Sequence, residues 1–487
     1  MGTQGRGVVA RRGEWLALVT VFLAVLGLSV SSPPFAGPDE AAHQATASYL
    51  TVHLMPPEAE TRDYVSGMLQ FGDCQIGFDS QQDASCLPGR EAVAPVKERI
   101  LNYPPPYYWA IGLGQKFAPG ADTWMDVGGR AASAVLNLVV IGLLAALMYR
   151  RVRGWGTNLL LVTTPVVAFM WAVVNPNGWE ITTGLLFAYV MALAWWDSEE
   201  FAGRIRRLWV ACGAVAVAAV LFALSRHDAL VWLCLIVLSV VLLGPRCGEP
   251  RRRIALLLAA GVGILAGLVW QMTHPAQHIV NNPDRVADPT WLDHLHWLAQ
   301  IDEVLPDRLR QMVGVLGWLD TPVPQFMALT LMLGWAALIG FMCARTRVSL
   351  PAVALGLLGT LFVPSLMEMI RWNDWPYWYQ GRITLSFTVP FLLLILLRYG
   401  AKTYWATVLL SVANGLVLAF MVWQNTARYA FGVKDYIPLR WSDPALGGVE
   451  FWTALACSCL IAVVSLVRLY WWFRRNRSGL EGVTVHG

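Results

Sequence analysis

"WLALVTVFLAVLGLSVSSPPFAGPDEAAH" occupies residues 15–43. Trp15 to Val30 carries no charge; two adjacent acids, Asp39 and Glu40, then follow, and after them His43. At about 1.5 Å per residue, a helix of this apolarity approaches the ~30 Å of hydrocarbon in a bilayer. Carboxylates at the exit of such a helix are costly unless they are paired or used.

The rest of the chain repeats the pattern. Its 487 residues are 56% hydrophobic and 14% charged, against about 45–50% and about 25% for soluble domains. Twelve apolar runs read as spans: 14–32, 127–149, 155–174, 181–197, 208–224, 229–244, 254–272, 324–343, 348–366, 383–398, 404–423 and 449–473. The expected fold is an all-α polytopic membrane protein, one domain over 1–487, with a bundle of about twelve transmembrane helices. Residues 33–126 form a large first loop inserted between the first two spans. The first span lacks a small-residue cleavage site and reads as a retained helix.

The net charge of +4 is scattered in short clusters, so no nucleic-acid partner is expected. Arg150–Arg153, Arg204–Arg207, Arg246–Arg253, Arg345–Arg347, Arg398–Lys402 and Arg474–Arg477 fall on the side of Arg6, Arg11 and Arg12. By the positive-inside rule that side is cytoplasmic, with both termini inside a plasma (inner) membrane. The long links 33–126, 273–323, 367–382 and 424–448 then face outward, and seven of the eight histidines lie in outward links. Cys74 and Cys86 sit in the first of these links. There an oxidising compartment favours a disulfide over two free thiols.

Four constellations could carry chemistry. Asp39 and His43 are four apart on a helix that Pro38 would open, with Glu40 facing Gln44; acids at this place also complement a helix dipole. In "NPNGWEI", Asn175 and Asn177 suit a turn, whereas Glu180 opens an apolar helix and would face the bundle. In "SRHDAL", Arg226, His227 and Asp228 occupy an outer tip against the charge bias, and an arginine with a histidine there suits a lipid phosphate. "RWNDWPYWYQGR" brings Asp374, Trp375, Tyr377, Gln380 and Arg382 to headgroup depth. Its aromatics also suit an interfacial belt, and Arg382 also reads as a snorkelling side chain. "NYPPPYY" adds Tyr103 and Tyr107, entering an apolar helix of about ten residues, too short to span.

No Walker loop, HExxH, paired CxxC or Ser-His-Asp spacing occurs. A group-transfer enzyme working outside the cell needs a donor already in the membrane, and a polyprenyl-phosphate sugar is such a donor. It calls for a carboxylate to take the acceptor's proton, cations for the departing phosphate, and an apolar groove for the prenyl chain.

"PPFAGPDEAAH", "NYPPPYY", "NPNGWEI" and "YQGRITLSFTVP" together resemble the bacterial multispanning family DUF2142, placed with the GT-C glycosyltransferases. The likeness runs nearly the whole chain in order. It implies a glycosyltransferase with a lipid-phosphate-linked donor; with the residues above, the expected reaction is inverting transfer from a polyprenyl-phosphate sugar to a cell-envelope glycan or glycolipid acceptor, among membrane lipids. Asp39 would be the catalytic base, with Glu40 beside it. Arg226, His227, Arg382 and Gln380 would hold the donor phosphate. His43, Tyr103, Tyr107, Asn175, Asn177, Glu180, Asp228, Asp374, Trp375 and Tyr377 would bind substrate. The family's usual QGRY reads Gln380-Gly381-Arg382-Ile383 here, so no tyrosine hydroxyl is offered at that point. Some GT-C enzymes use a divalent metal at the acidic motif; two carboxylates alone do not define a metal site, and no other cofactor is expected. The rival reading is a transporter or flippase for a lipid-linked glycan, which predicts broken helices and ionisable groups near the midplane.

Overall fold

With no water in hydrocarbon, an apolar run must satisfy its own backbone, and a helix does so. The computed structural model describes residues 3–33, 36–56, 63–66, 96–99, 102–117, 125–196, 205–244, 250–275, 290–299, 301–371, 380–432 and 448–480. The helices are α1 (Thr3–Ser31), α2 (Glu40–His53), α3 (Pro105–Phe117), α4 (Met125–Met148), α5 (Trp155–Val162), α6 (Pro165–Ala172), α7 (Pro176–Trp196), α8 (Ile205–Ala223) and α9 (Ala229–Leu243). They continue with α10 (Pro250–Thr273), α11 (Trp291–Ala299), α12 (Ile301–Gly314), α13 (Gln325–Arg345), α14 (Leu350–Arg371), α15 (Gly381–Tyr399), α16 (Tyr404–Phe431) and α17 (Gly448–Leu480). Among the described residues a 3-10 turn at Gly400–Lys402 and two short antiparallel ribbons accompany them. β1 (Asp63–Ser66) pairs with β2 (Val96–Arg99) with Asp63 opposite Arg99, and β3 (Val315–Leu316) pairs with β4 (Thr321–Pro322). Cys74 and Cys86 lie outside the described residues.

Every expected span falls on helix, and nine helices among the described residues are long and apolar enough to cross a membrane. α7 is buried along almost its whole length, and α9 is the shorter apolar helix of fifteen residues. The expected single span 155–174 departs from the reading: it is α5 and α6, bent by 84°. Pro165 lacks an N–H and disfavours helical backbone before it. Thr164 accordingly turns extended (ψ 164°) and caps α6 by accepting from the Val167 N–H. Asn414 of α16 binds carbonyls at the break: its Nδ2 donates to Thr163 (2.9 Å) and to Leu160 (2.8 Å), which also accepts from the Thr163 N–H.

The bundle has two polar ends of different character. At one, buried Glu14 of α1 accepts from the Thr157 N–H (2.7 Å), the Thr157 hydroxyl and the Tyr404 hydroxyl (2.7 Å). Arg468 of α17 donates to the Thr157 and Ser411 hydroxyls, and Arg153 lies 4.8 Å over the Tyr404 ring. The basic links near residues 150 and 400 therefore share an end with the start of α1 and the last helix. At the opposite end, Ser31 and Ser32 receive Nδ2 of Asn425, and α2 and α3 pack across the mouths of α4 and α7. Gly112 makes that packing close: a Cβ there would meet the Ala47 carbonyl oxygen at 2.7 Å.

Candidate active site

The helix after Pro38 begins two residues later than its proline suggests. Pro38 and Asp39 form a turn, Glu40 is the first residue of α2, and Asp39 takes left-handed backbone at φ 54°. Aspartate is among the few L residues that adopt this conformation readily. The turn sends the two acids apart. Glu40 is 0% exposed and accepts from Arg130 Nε (2.6 Å) and Nη2 (2.5 Å) and from the Gly37 and Val174 N–H groups, both at 3.0 Å. Arg130 also donates to the carbonyls of Ser32 and Pro33, and Asn175 Nδ2 donates to that of Pro38 at 2.9 Å. The Pro-Asp-Glu turn is thus held from α4 and from the α6–α7 link. Gln44, expected opposite Glu40, instead receives Nε2 of Gln115.

Asp39 points the other way. Its side chain is 58% exposed and its Oδ2 stands 3.8 Å from Nη2 of Arg382. Arg382 sits in the first turn of α15, itself nine-tenths buried. The glycine before it has a packing role: the Gly381 N–H donates to Gln311 (2.8 Å), and a Cβ there would strike the Arg308 carbonyl. Gln380 leaves a buried Oε1 without a partner among the described residues. Asp374, Trp375 and Tyr377 lie outside the described residues.

Arg226 is occupied. Its Nε donates to Asp228 at 3.0 Å, Nη1 donates to Asn177 Oδ1, and Glu180 Oε2 lies 3.6 Å away. Asp228 also accepts from Trp232 Nε1 (3.3 Å). Glu180 accepts from the Ser386 hydroxyl (2.6 Å) through Oε2, while its buried Oε1 has no partner among the described residues. Tyr103 bridges the groups. The Arg226 guanidinium lies 5.6 Å over its ring, and the rings of His43 and His227 stand at 6.0 and 5.5 Å. Burial, partly offset by Arg226, raises its phenol above the usual range. His43 shares a 2.9 Å hydrogen bond with Tyr108 through Nδ1. Burial first, then Arg226 and Arg382, lower its pKa well below the ordinary 6.5. His227 donates from Nε2 to the Asn102 carbonyl. Tyr107 is fully buried with its hydroxyl on Ser133 (2.9 Å), so its faces are not open to a substrate.

The structure brings Asp39, Arg382, Arg226, Glu180, Asp228, His43 and Tyr103 to one end of the bundle. Among the described residues no three His, Cys, Asp or Glu side chains gather as a cation site. Sequence reading missed Arg130, Tyr108 and Ser386. Arg130 carried a usable signal, since it is an arginine near the outer head of an apolar run, the criterion that singled out Arg226 and Arg382. The two hydroxyls carried none.

Helices long enough to cross a membrane, basic links at one end and a buried ionic network at the other define a multispanning membrane protein with a polar site at one mouth of its bundle. The chain belongs to the family described as "Predicted membrane protein (DUF2142)", whose model matches residues 22–382. Comparison with curated proteins finds no match. Among solved structures the chain is similar to ArnT from Cupriavidus metallidurans, crystallised with undecaprenyl phosphate, with a TM-score of 0.43 and 17% identity over 99% of this chain and 80% of that one.

Proposed function

We propose that this protein is an inverting glycosyltransferase of the GT-C kind, moving a sugar from a polyprenyl-phosphate donor to a cell-envelope glycan or glycolipid on the extracytoplasmic face. One observation carries the reading: a half-exposed carboxylate, Asp39, faces a nine-tenths-buried guanidinium, Arg382, across 3.8 Å at one mouth of the bundle. A proton acceptor and a counter-charge for a departing phosphate, side by side at one mouth, are the two groups that displacement at an anomeric carbon requires.

In the reaction, the acceptor oxygen attacks the anomeric carbon from the face opposite the phosphate. The new C–O bond forms as the bond to the phosphate oxygen breaks, the bonding pair leaves with the lipid phosphate, and the hydroxyl proton passes to Asp39. Arg382 meets the negative charge that grows on the phosphate. Arg226 is spoken for by Asp228 and Asn177, and its part is to hold Tyr103 as the surface on which a sugar face stacks. Glu40, locked on Arg130, fixes the turn that aims Asp39. No metal or other cofactor enters these steps. The outward orientation rests on the positive-inside pattern.

The rival transport reading foresaw a broken helix, and α5–α6 is one. Its freed carbonyls are capped by Asn414, a neutral side chain, whereas the charges gather at the bundle ends; that favours the enzyme. The test is Asp39→Asn. A general base contributes about 10²–10⁴ in rate, so transfer from a polyprenyl-phosphate sugar falls by at least about a hundredfold while expression and melting hold. Wild-type turnover in this variant removes the assignment.

A further inference from the structure

We propose that Asp39 and Arg382 form a latch that the donor phosphate opens, so that the base is released only after the donor has bound. This rests on the glycosyltransferase reading above. Asp39 occupies left-handed backbone, makes no capping hydrogen bond with its side chain and is 58% exposed. Nothing in the turn itself commits its carboxylate, because the turn is held by Glu40, Arg130 and Asn175. Arg382 is nine-tenths buried, and among the described residues its recorded ion pair is the one to Asp39, at a distance too long for a hydrogen bond. Each therefore serves as the other's provisional counter-ion. Arg226, the other guanidinium nearby, has an adjacent carboxylate and an amide at hydrogen-bonding distance and exchanges them at greater cost.

A prenyl phosphate brings an oxyanion that binds a guanidinium through paired hydrogen bonds, a stronger partner than a carboxylate held at 3.8 Å. When Arg382 turns to the phosphate, Oδ2 of Asp39 loses its neighbour and can accept the proton of an acceptor hydroxyl. The order follows. Donor binds first, the base becomes available second, and an acceptor arriving early meets a carboxylate still facing the arginine.

The consequence runs against the usual expectation for a catalytic residue. Removing the charge of Asp39 removes a competitor for Arg382 and tightens donor binding. In the full chain reconstituted in lipid nanodiscs, Asp39→Asn binds farnesyl phosphate about two- to fivefold more tightly than wild type, the range of a partly exposed ion pair. Arg382→Gln weakens binding at least tenfold, and Asp39→Asn adds nothing on that background. Asparagine also accepts left-handed backbone, so the turn survives the change. Equal or weaker binding by Asp39→Asn, with Arg382→Gln still defective, overturns the latch and leaves the phosphate site standing. No saturable binding to wild type overturns the glycosyltransferase reading, and the latch with it.

Discussion

Replacing Arg130 by methionine tests whether the Pro-Asp-Glu turn is held as described. The change keeps much of the stem and removes every donor. Glu40 is then a carboxylate with no solvent exposure and only the Gly37 and Val174 N–H groups left to it, while the Ser32 carbonyl loses the guanidinium and that of Pro33 keeps only the Ala36 N–H. Breaking one side of a buried ion pair costs about 3–5 kcal/mol, so Arg130→Met is destabilised by that amount. Glu40→Leu strands the opposite charge and falls in the same range. In the double variant neither charge is left uncompensated, and the residual cost is that of the unpaired backbone groups, about 1–3 kcal/mol. The cycle therefore closes with a coupling of at least about 3 kcal/mol. Reversible unfolding in mixed micelles by titration with sodium dodecyl sulfate, followed through the 24 tryptophans, measures it. Single variants costing under about 1 kcal/mol, or adding independently, would refute the clamp.

Two further expectations concern stability. Burial and the nearby arginines lower the pKa of His43 well below its ordinary 6.5. The unfolded chain takes up a proton as pH falls through about 6.5 and the folded one does not, so stability is retained above that pH and lost below it; His43→Gln flattens the melting-temperature profile between pH 7.5 and 5.5, and an unchanged slope contradicts the assignment. Asn414→Leu removes the amide donor from the buried Thr163 carbonyl and leaves that of Leu160 with the Thr163 N–H alone, at a cost of about 1–3 kcal/mol read as a lower melting temperature, whereas wild-type melting means that the break is sealed by something else.

The chain's local chemistry marked where the apolar helices lie, because apolar length is a property of single segments. It brought Asp39, Arg226 and Arg382 forward because each stands at the end of an apolar run, where a charge has few cheap explanations. Pairing was not legible. That Glu40 meets Arg130, ninety residues away, while Asp39 meets Arg382 depends on a left-handed turn of one residue. Whether Asp39 or Glu40 would be locked was undecided by the sequence, since two adjacent acids look alike until a backbone sends them in opposite directions. The sequence read 155–174 as one span, and its Thr-Thr-Pro marked the place where the helix could break. Only the packing of α16 supplied the asparagine that makes an 84° bend tolerable in a bundle without water. Burial decides which charges are taken and which stay open, and burial is a property of the assembled helices.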